Sequence, residues 1–226
     1  MQLLQTLQTL LCAAAIGVST AATPSLAAEP KNGADYLTLP EVQNTDAGRA
    51  VEVTEFFAYA CPHCNRFEPL IAAWAKQQGA NIVFKRVHVS SGAGAQAQQR
   101  LFYTLEALGL LEQYHASVFA AMHVEHLRLA TDEAVFDWAT RAGIDKAKFI
   151  EAYRSFGVQA KLRRAGTMMA AYRIEAWPMV AVDGRFMASP SQSGEAAQAP
   201  QTETQMQQSA LQVMDFLVLK AKAEKK

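Results

Sequence analysis

The 226 residues carry 21 Lys and Arg against 21 Asp and Glu, and half of the chain (50%) is hydrophobic. Such a balance, without a basic excess, points away from nucleic acid and from an anionic membrane surface. The length suffices for one sizeable core, or for a core with a second one inserted.

Met1 to Ala28 has no charged side chain, holds the apolar run Leu10 to Val18, and ends in Pro24-Ser25-Leu26-Ala27-Ala28. Small residues at that place read as a cleavage site, so residues 1–28 are expected to be a secretory signal that is removed, although Lys and Arg are missing near Met1. The run is too short for a membrane anchor, which needs about 20 apolar residues. Cys12 would leave with the signal, and Thr9-Leu10-Leu11 in front of it is too bulky for a lipid-attachment site. Cys61 and Cys64 remain, in an oxidising compartment, and a pair so close in sequence closes too small a loop to staple a fold. Redox chemistry is the better use for it.

Tyr36 to Leu39 reads as a short first strand and Pro40 to Gly48 as a polar loop. Val51 to Tyr59 is apolar on both faces, as in a strand covered on both sides. It runs into Cys61-Pro62-His63-Cys64, where a helix opens: Cys61 falls at the N-cap, Pro62 at the first helical position and Cys64 one turn on, on the same face. A thiolate at Cys61 faces unpaired backbone N–H groups and the positive end of the helix, and a protonated His63 adds charge, so its pKa should be lowered. The C-x-x-C spacing also suits zinc, but no second C-x-x-C and no third partner at finger spacing is present, which weighs against a metal. The helix places Phe67, Leu70, Ile71 and Trp74 on one stripe, should kink at Pro69, and stops near Gly79. Ile82 to Val89 is a second strand, parallel to the first through a crossover.

Beyond Ser90-Ser91-Gly92 the pattern is helical throughout. Segments Ala95 to Leu108, Leu111 to Met122, one capped by Thr131, one capped by Asp145, and Val158 to Tyr172 make a block of about seventy residues, consistent with a small insertion domain. His115, His123 and His126 in this block read as surface or packing residues, since no ligand set accompanies them. Pro178 to Val182 and Arg185 to Met187 are strands around Asp183-Gly184, a hairpin signal. Ala188 to Thr204 reads as an exposed loop and Gln205 to Lys222 as a helix with Ala210, Met214, Leu217 and Ala221 on one stripe.

This order of elements, with EFFAYACPHCNRFEP at its centre, resembles the DsbA-type thiol:disulfide oxidoreductases over about Tyr36 to Lys222. The resemblance implies an α/β thioredoxin fold interrupted by an all-helical insertion domain, with residues 29–91 and 170–226 forming the thioredoxin-like part and 92–169 the insertion. It further implies a periplasmic, monomeric protein with no cofactor beyond the Cys61–Cys64 disulfide. That disulfide would pass to reduced exported proteins through a mixed disulfide on Cys61, with reoxidation by a DsbB-like quinone-linked membrane oxidase. By the same resemblance Arg86 is a candidate counter-charge for Glu55 and Glu68, and Trp177-Pro178 is the substrate-facing X-Pro bond, in cis. Glu68 lacks a basic residue one turn away on its own helix. Two readings of the carboxylates stand side by side: a buried cluster that tunes the thiols and takes the Cys64 proton, or a solvated Glu68 with Glu55 merely paired. A reductase or isomerase of the same fold, and a peptide-binding chaperone with an incidental disulfide, are the alternative functions.

Overall fold

The structure, a computed structural model, describes residues 29–90, 92, 94–197 and 199–225; the expected signal over 1–28 lies outside them. In chain order the elements are β1 (Leu37–Thr38), β2 (Val51–Phe57), α1 (Pro62–Gln78), β3 (Ile82–His88), α2 (Ala95–Ala107), α3 (Leu111–His123), α4 (Asp132–Arg141), α5 (Lys146–Arg154), α6 (Phe156–Ala171), β4 (Met179–Val182), β5 (Phe186–Ala188), α7 (Pro190–Glu195) and α8 (Glu203–Glu224). The five strands form one mixed sheet in the order β1-β5-β4-β2-β3. Strand β2 is parallel to β3 and antiparallel to β4, and every one of its residues is buried. This is the α/β thioredoxin fold with helices inserted between β3 and β4.

Each face of the sheet is covered. Phe67, Ile71 and Trp74 of α1 pack with Val213, Met214, Leu217 and Val218 of α8 against Val51, Val53, Val180 and Val182. The second cluster is continuous from Phe56, Phe57 and the two cysteines into Leu101, Phe102, Val118, Phe119, Phe149 and Tyr153 of the inserted helices. The helices therefore share their core with the sheet.

Local chemistry explains most boundaries. The Thr131 and Asp145 side chains accept the N–H groups of Ala134 and Lys148 and start α4 and α5. Gly79 ends α1 at φ 53°, where a side chain is disfavoured. At the hairpin Asp183 and Gly184 both have positive φ (55° and 65°), the conformation that Asp-Gly favours. A Cβ on Gly184 would lie 2.2 Å from the Gln43 carbonyl oxygen, so only glycine lets the loop after β1 pass there.

Several boundaries differ from expectation. Helix α6 begins two residues before Val158 because Ser155 caps it, its hydroxyl accepting the Val158 N–H at 3.2 Å. The segment 188–204 is not all loop: Ser189 accepts the Gln192 N–H, Pro190 takes the first helical position, and α7 results with Pro190 and Ser193 buried. The Met206 side chain of α8 lies directly over Gly194, where a Cβ would meet its sulfur at 2.2 Å and turn it aside.

Candidate active site

Cys61 is the N-cap residue of α1, in extended conformation (φ −82°, ψ 117°), and its sulfur accepts the Cys64 N–H at 3.3 Å. Both cysteines are thiols; Cys61 is 8% exposed and Cys64 fully buried. The Cys64 thiol bonded to it, the Cys64 and His63 backbone N–H groups and the His63 ring hold the Cys61 thiol down at about 6, against the opposing effect of partial burial. Burial first, then the bond it gives Cys61 and the charges of Cys61 and Glu55, pushes Cys64 far the other way. One sulfur is thus a thiolate at neutral pH and its neighbour a thiol.

Opposite the cysteines, the Trp177–Pro178 peptide bond is cis and the Trp177 carbonyl oxygen lies 3.7 Å from Cys61 Sγ, which donates to it only in the protonated form. The Trp177 side chain is half-buried and packs on the second core cluster. His63 is on the exposed side, where Glu203, the first residue of α8, takes His63 Nδ1 at 2.8 Å and Arg66 Nε at 2.6 Å. Arg66 first, then His63, hold the Glu203 carboxyl below its usual range. The sequence gives no local sign of this anchor, because Glu203 lies 140 residues from His63.

Beneath the sulfurs, Glu55 and Arg86 are register partners on the parallel strands β2 and β3, and α1 brings Glu68 to the same place. Arg86 donates from Nη2 to Glu68 Oε1 at 2.7 Å, and its Nε lies 3.3 Å from Glu55 Oε2, close as a charge contact but poorly aligned as a hydrogen bond. Glu55 is 1% exposed, and Glu68 and Arg86 are nearly as enclosed at 12% and 8% of their side chains. Burial first, then the Glu68 charge, pushes the Glu55 carboxyl up to about 8 in spite of Arg86. One member of the acid pair therefore carries a proton at neutral pH.

The three histidines set aside as surface or packing residues do not share one role. His126 is exposed, whereas His115 is buried with Nε2 3.2 Å from Glu68 Oε2, and His123 donates from Nε2 to the Tyr59 carbonyl at 2.7 Å. His88 accepts the Tyr59 N–H at 3.1 Å. Among the described residues no group of three His, Cys, Asp or Glu side chains is placed to hold a metal ion, and no helix is long and apolar enough to cross a membrane.

The Glu55 shift has a consequence for stability. Between about pH 4.5 and about pH 8 the folded chain keeps a proton that the unfolded chain has released, so stability drops as pH rises, by at most about 1.4 kcal/mol per pH unit. Glu55→Gln cannot ionise and should gain on the parent across that window, and most above it. Urea unfolding of both proteins through the window measures the gap; a gap that does not change with pH would mean that Glu55 titrates alike in both states.

A family model described as a DSBA-like thioredoxin domain matches residues 68–199. The thiol:disulfide interchange protein DsbA of Bordetella pertussis is 38% identical over 185 residues, 82% of this chain and 87% of that protein. The protein of the same name from Burkholderia cepacia is 36% identical over 212 residues, 93% and 94% of the two chains. The crystal structure of Pseudomonas aeruginosa DsbA superposes with a TM-score of 0.76 at 30% identity, covering 85% of this chain and 94% of that one.

Proposed function

The chain belongs to the DSBA-like thioredoxin domain family, and on that premise we propose that its thiol:disulfide oxidoreductase activity runs through Cys61 as the exchanging sulfur. The observation that carries this is the asymmetry of the pair. The Cys61 sulfur caps the positive end of α1 and meets solvent, while Cys64 is sealed beneath it.

Starting from the Cys61–Cys64 disulfide, a substrate thiolate attacks Cys61 Sγ. A substrate–Cys61 bond forms, the bond to Cys64 breaks, and the electron pair stays on Cys64, which takes up a proton. The second substrate thiolate attacks the substrate sulfur of the mixed disulfide and releases Cys61 as a thiolate. The substrate dithiol loses two electrons and the enzyme disulfide gains them. If Cys64 attacks the mixed disulfide instead, it must first lose its proton.

Glu55, protonated at neutral pH, is the group we assign to that exchange, with Arg86 holding it and Glu68 together. A groove of about 630 Å³ lined by Arg86 and Glu112 opens on the far side of the cluster. The low exposure of the Glu68 side chain, 12%, supports the buried reading over the solvated one. His63 and Pro62 shape the helix start, and Trp177 with Pro178 offers the backbone against which an incoming extended peptide pairs. The substrates are reduced proteins newly exported to the periplasm, the oxidant that restores the disulfide is a DsbB-like quinone-linked membrane protein, and the protein works as a monomer without a bound cofactor.

Stabilising the Cys61 thiolate stabilises the dithiol form against the disulfide, so the couple is oxidising. Thiolate absorbance should titrate with a midpoint of about 6, and the dithiol form should resist denaturant better than the disulfide form. A midpoint near the ordinary thiol value of about 8.5, or the opposite order of stabilities, would overturn the assignment.

A further inference from the structure

His63 is 62% exposed on the first turn of α1, yet its ring is gripped from the far end of the chain. Nδ1 lies 2.8 Å from Oε1 of Glu203, the first residue of α8, and 3.2 Å from Arg66 Nη2, one turn along α1. What Glu203 carries decides what Nδ1 carries. Arg66 Nε binds the other Glu203 oxygen at 2.6 Å and the positive end of α8 lies behind the carboxyl, so Glu203 is held below the usual carboxylate range and is ionised at neutral pH. A ring lone pair would be repelled by a carboxylate oxygen at 2.8 Å, so Nδ1 turns an N–H toward Glu203, whether the ring is neutral or charged. The longer approach of Arg66 Nη2 follows from its reaching for the same carboxylate.

Glu203 itself is set in advance. The Thr202 hydroxyl accepts the Gln205 N–H at 3.3 Å and the Gln205 side chain takes the Thr202 N–H at 2.8 Å, a reciprocal cap that fixes the start of α8. Buried Gln207, one turn on, reaches Glu203 Oε1 at 3.4 Å. The charged groups that face the imidazole are Cys61 and Arg66 on α1 and Glu203 on α8. An exposed side chain left to itself spreads over its rotamers, and the pull of an exposed charge falls off with distance. Glu203 takes that freedom from His63.

We propose that Glu203 is a positioning residue for Cys61: by accepting from Nδ1 it holds the His63 imidazole where its charged form supports the Cys61 thiolate released from each mixed disulfide. Glu203 keeps its charge and its protons throughout, and the sulfur alone changes state. The last helix thus helps to set the redox poise at the start of the first. The inference rests on Cys61 being the exchanging sulfur.

Two readouts test it. The first needs no substitution: nitrogen NMR of the neutral His63 ring should show the Nδ1–H tautomer, and an Nε2–H tautomer, with Nδ1 accepting from Arg66, would overturn the proposal. The second is a double-mutant cycle of Glu203→Ala and His63→Phe, read by thiolate absorbance of Cys61 and by the equilibrium with glutathione. The cycle is needed because Glu203→Ala also frees Arg66, whose charge is itself drawn to the Cys61 thiolate. In the parent, Glu203→Ala should raise the thiolate midpoint and move the equilibrium about threefold toward the disulfide, the size expected of a partly exposed pair. In His63→Phe the same change should give no shift, or a shift toward the dithiol as Arg66 is released. An equal shift in both backgrounds would mean that Glu203 acts without His63. No shift in the parent, or one toward the dithiol, would mean that the ring needs no holding. Either result overturns the proposal. If the parent shows no thiolate with a midpoint of about 6, the assignment of Cys61 fails first and the proposal with it.

Discussion

Cys61→Ser should abolish disulfide transfer, oxidation of a reduced test protein falling to the rate seen without enzyme. With the Cys61 thiol at about 6, roughly nine molecules in ten present a thiolate at pH 7, against roughly three in a hundred for an ordinary thiol, and a serine hydroxyl presents none. Cys64→Ser should behave differently. Its Cys61 remains a thiolate and still enters mixed disulfides, but nothing beneath it can expel the partner, so covalent adducts accumulate and show on a non-reducing gel. A chaperone with an incidental disulfide would retain its effect on a folding substrate after Cys61→Ser. That result would remove the oxidoreductase mechanism drawn above.

Arg86→Met is the substitution expected to damage stability most. It removes the one cation that touches both Glu55 and Glu68 and leaves two enclosed carboxyls facing each other. Breaking a buried ion pair from one side costs about 3–5 kcal/mol, because the remaining charge is neither hydrated nor matched. The loss should grow with pH. In acid Glu55 is protonated in both proteins, but above about 8 the parent's Glu55 ionises beside Arg86, whereas without Arg86 the variant must hold the proton or ionise unpaired, at a cost that grows with pH. Denaturant unfolding at about pH 6 and about pH 9 gives the two values. A loss under about 1 kcal/mol at both would mean that the carboxylates are solvated enough to do without a partner.

What the sequence disclosed follows the range of the physical signal. Cys61 as N-cap with Pro62 behind it, the caps at Thr131 and Asp145 and the Asp183-Gly184 hairpin are written within four residues, and each is present in the structure. The stripe of α8 was equally plain. Helix α7 was not, although Ser189-Pro190 spells its start: the Ser, Gln and Ala around it have no apolar period, and what fixes it is close contact with α8. The grip on Tyr59 was beyond reach for another reason. His115 and His123 lie 56 and 64 residues from it, and a lone histidine in a helical pattern does not say which distant carbonyl or carboxylate it will meet. Glu55, Glu68 and Arg86 could be named together only through the resemblance, since their pairing depends on strand register that no local pattern sets.

The strand order has a consequence for how the molecule comes into being. Val53 is flanked by Phe84 on one side and by Val182 on the other. Synthesis runs from the N-terminus, so β2, α1 and β3 exist as a two-stranded ribbon while all five inserted helices are still being made. During that interval the β4-facing edge of β2 has no partner, and α8 is not yet there to cover the apolar side of α1. Pairings this distant in sequence form slowly, and an open apolar edge in the meantime is a place where a second nascent copy can dock. The cysteines are therefore made ahead of the strands and the last helix that complete their surroundings. Sulfur chemistry can begin on a half-built sheet, and the growing chain is itself a dithiol protein of the kind its finished form oxidises.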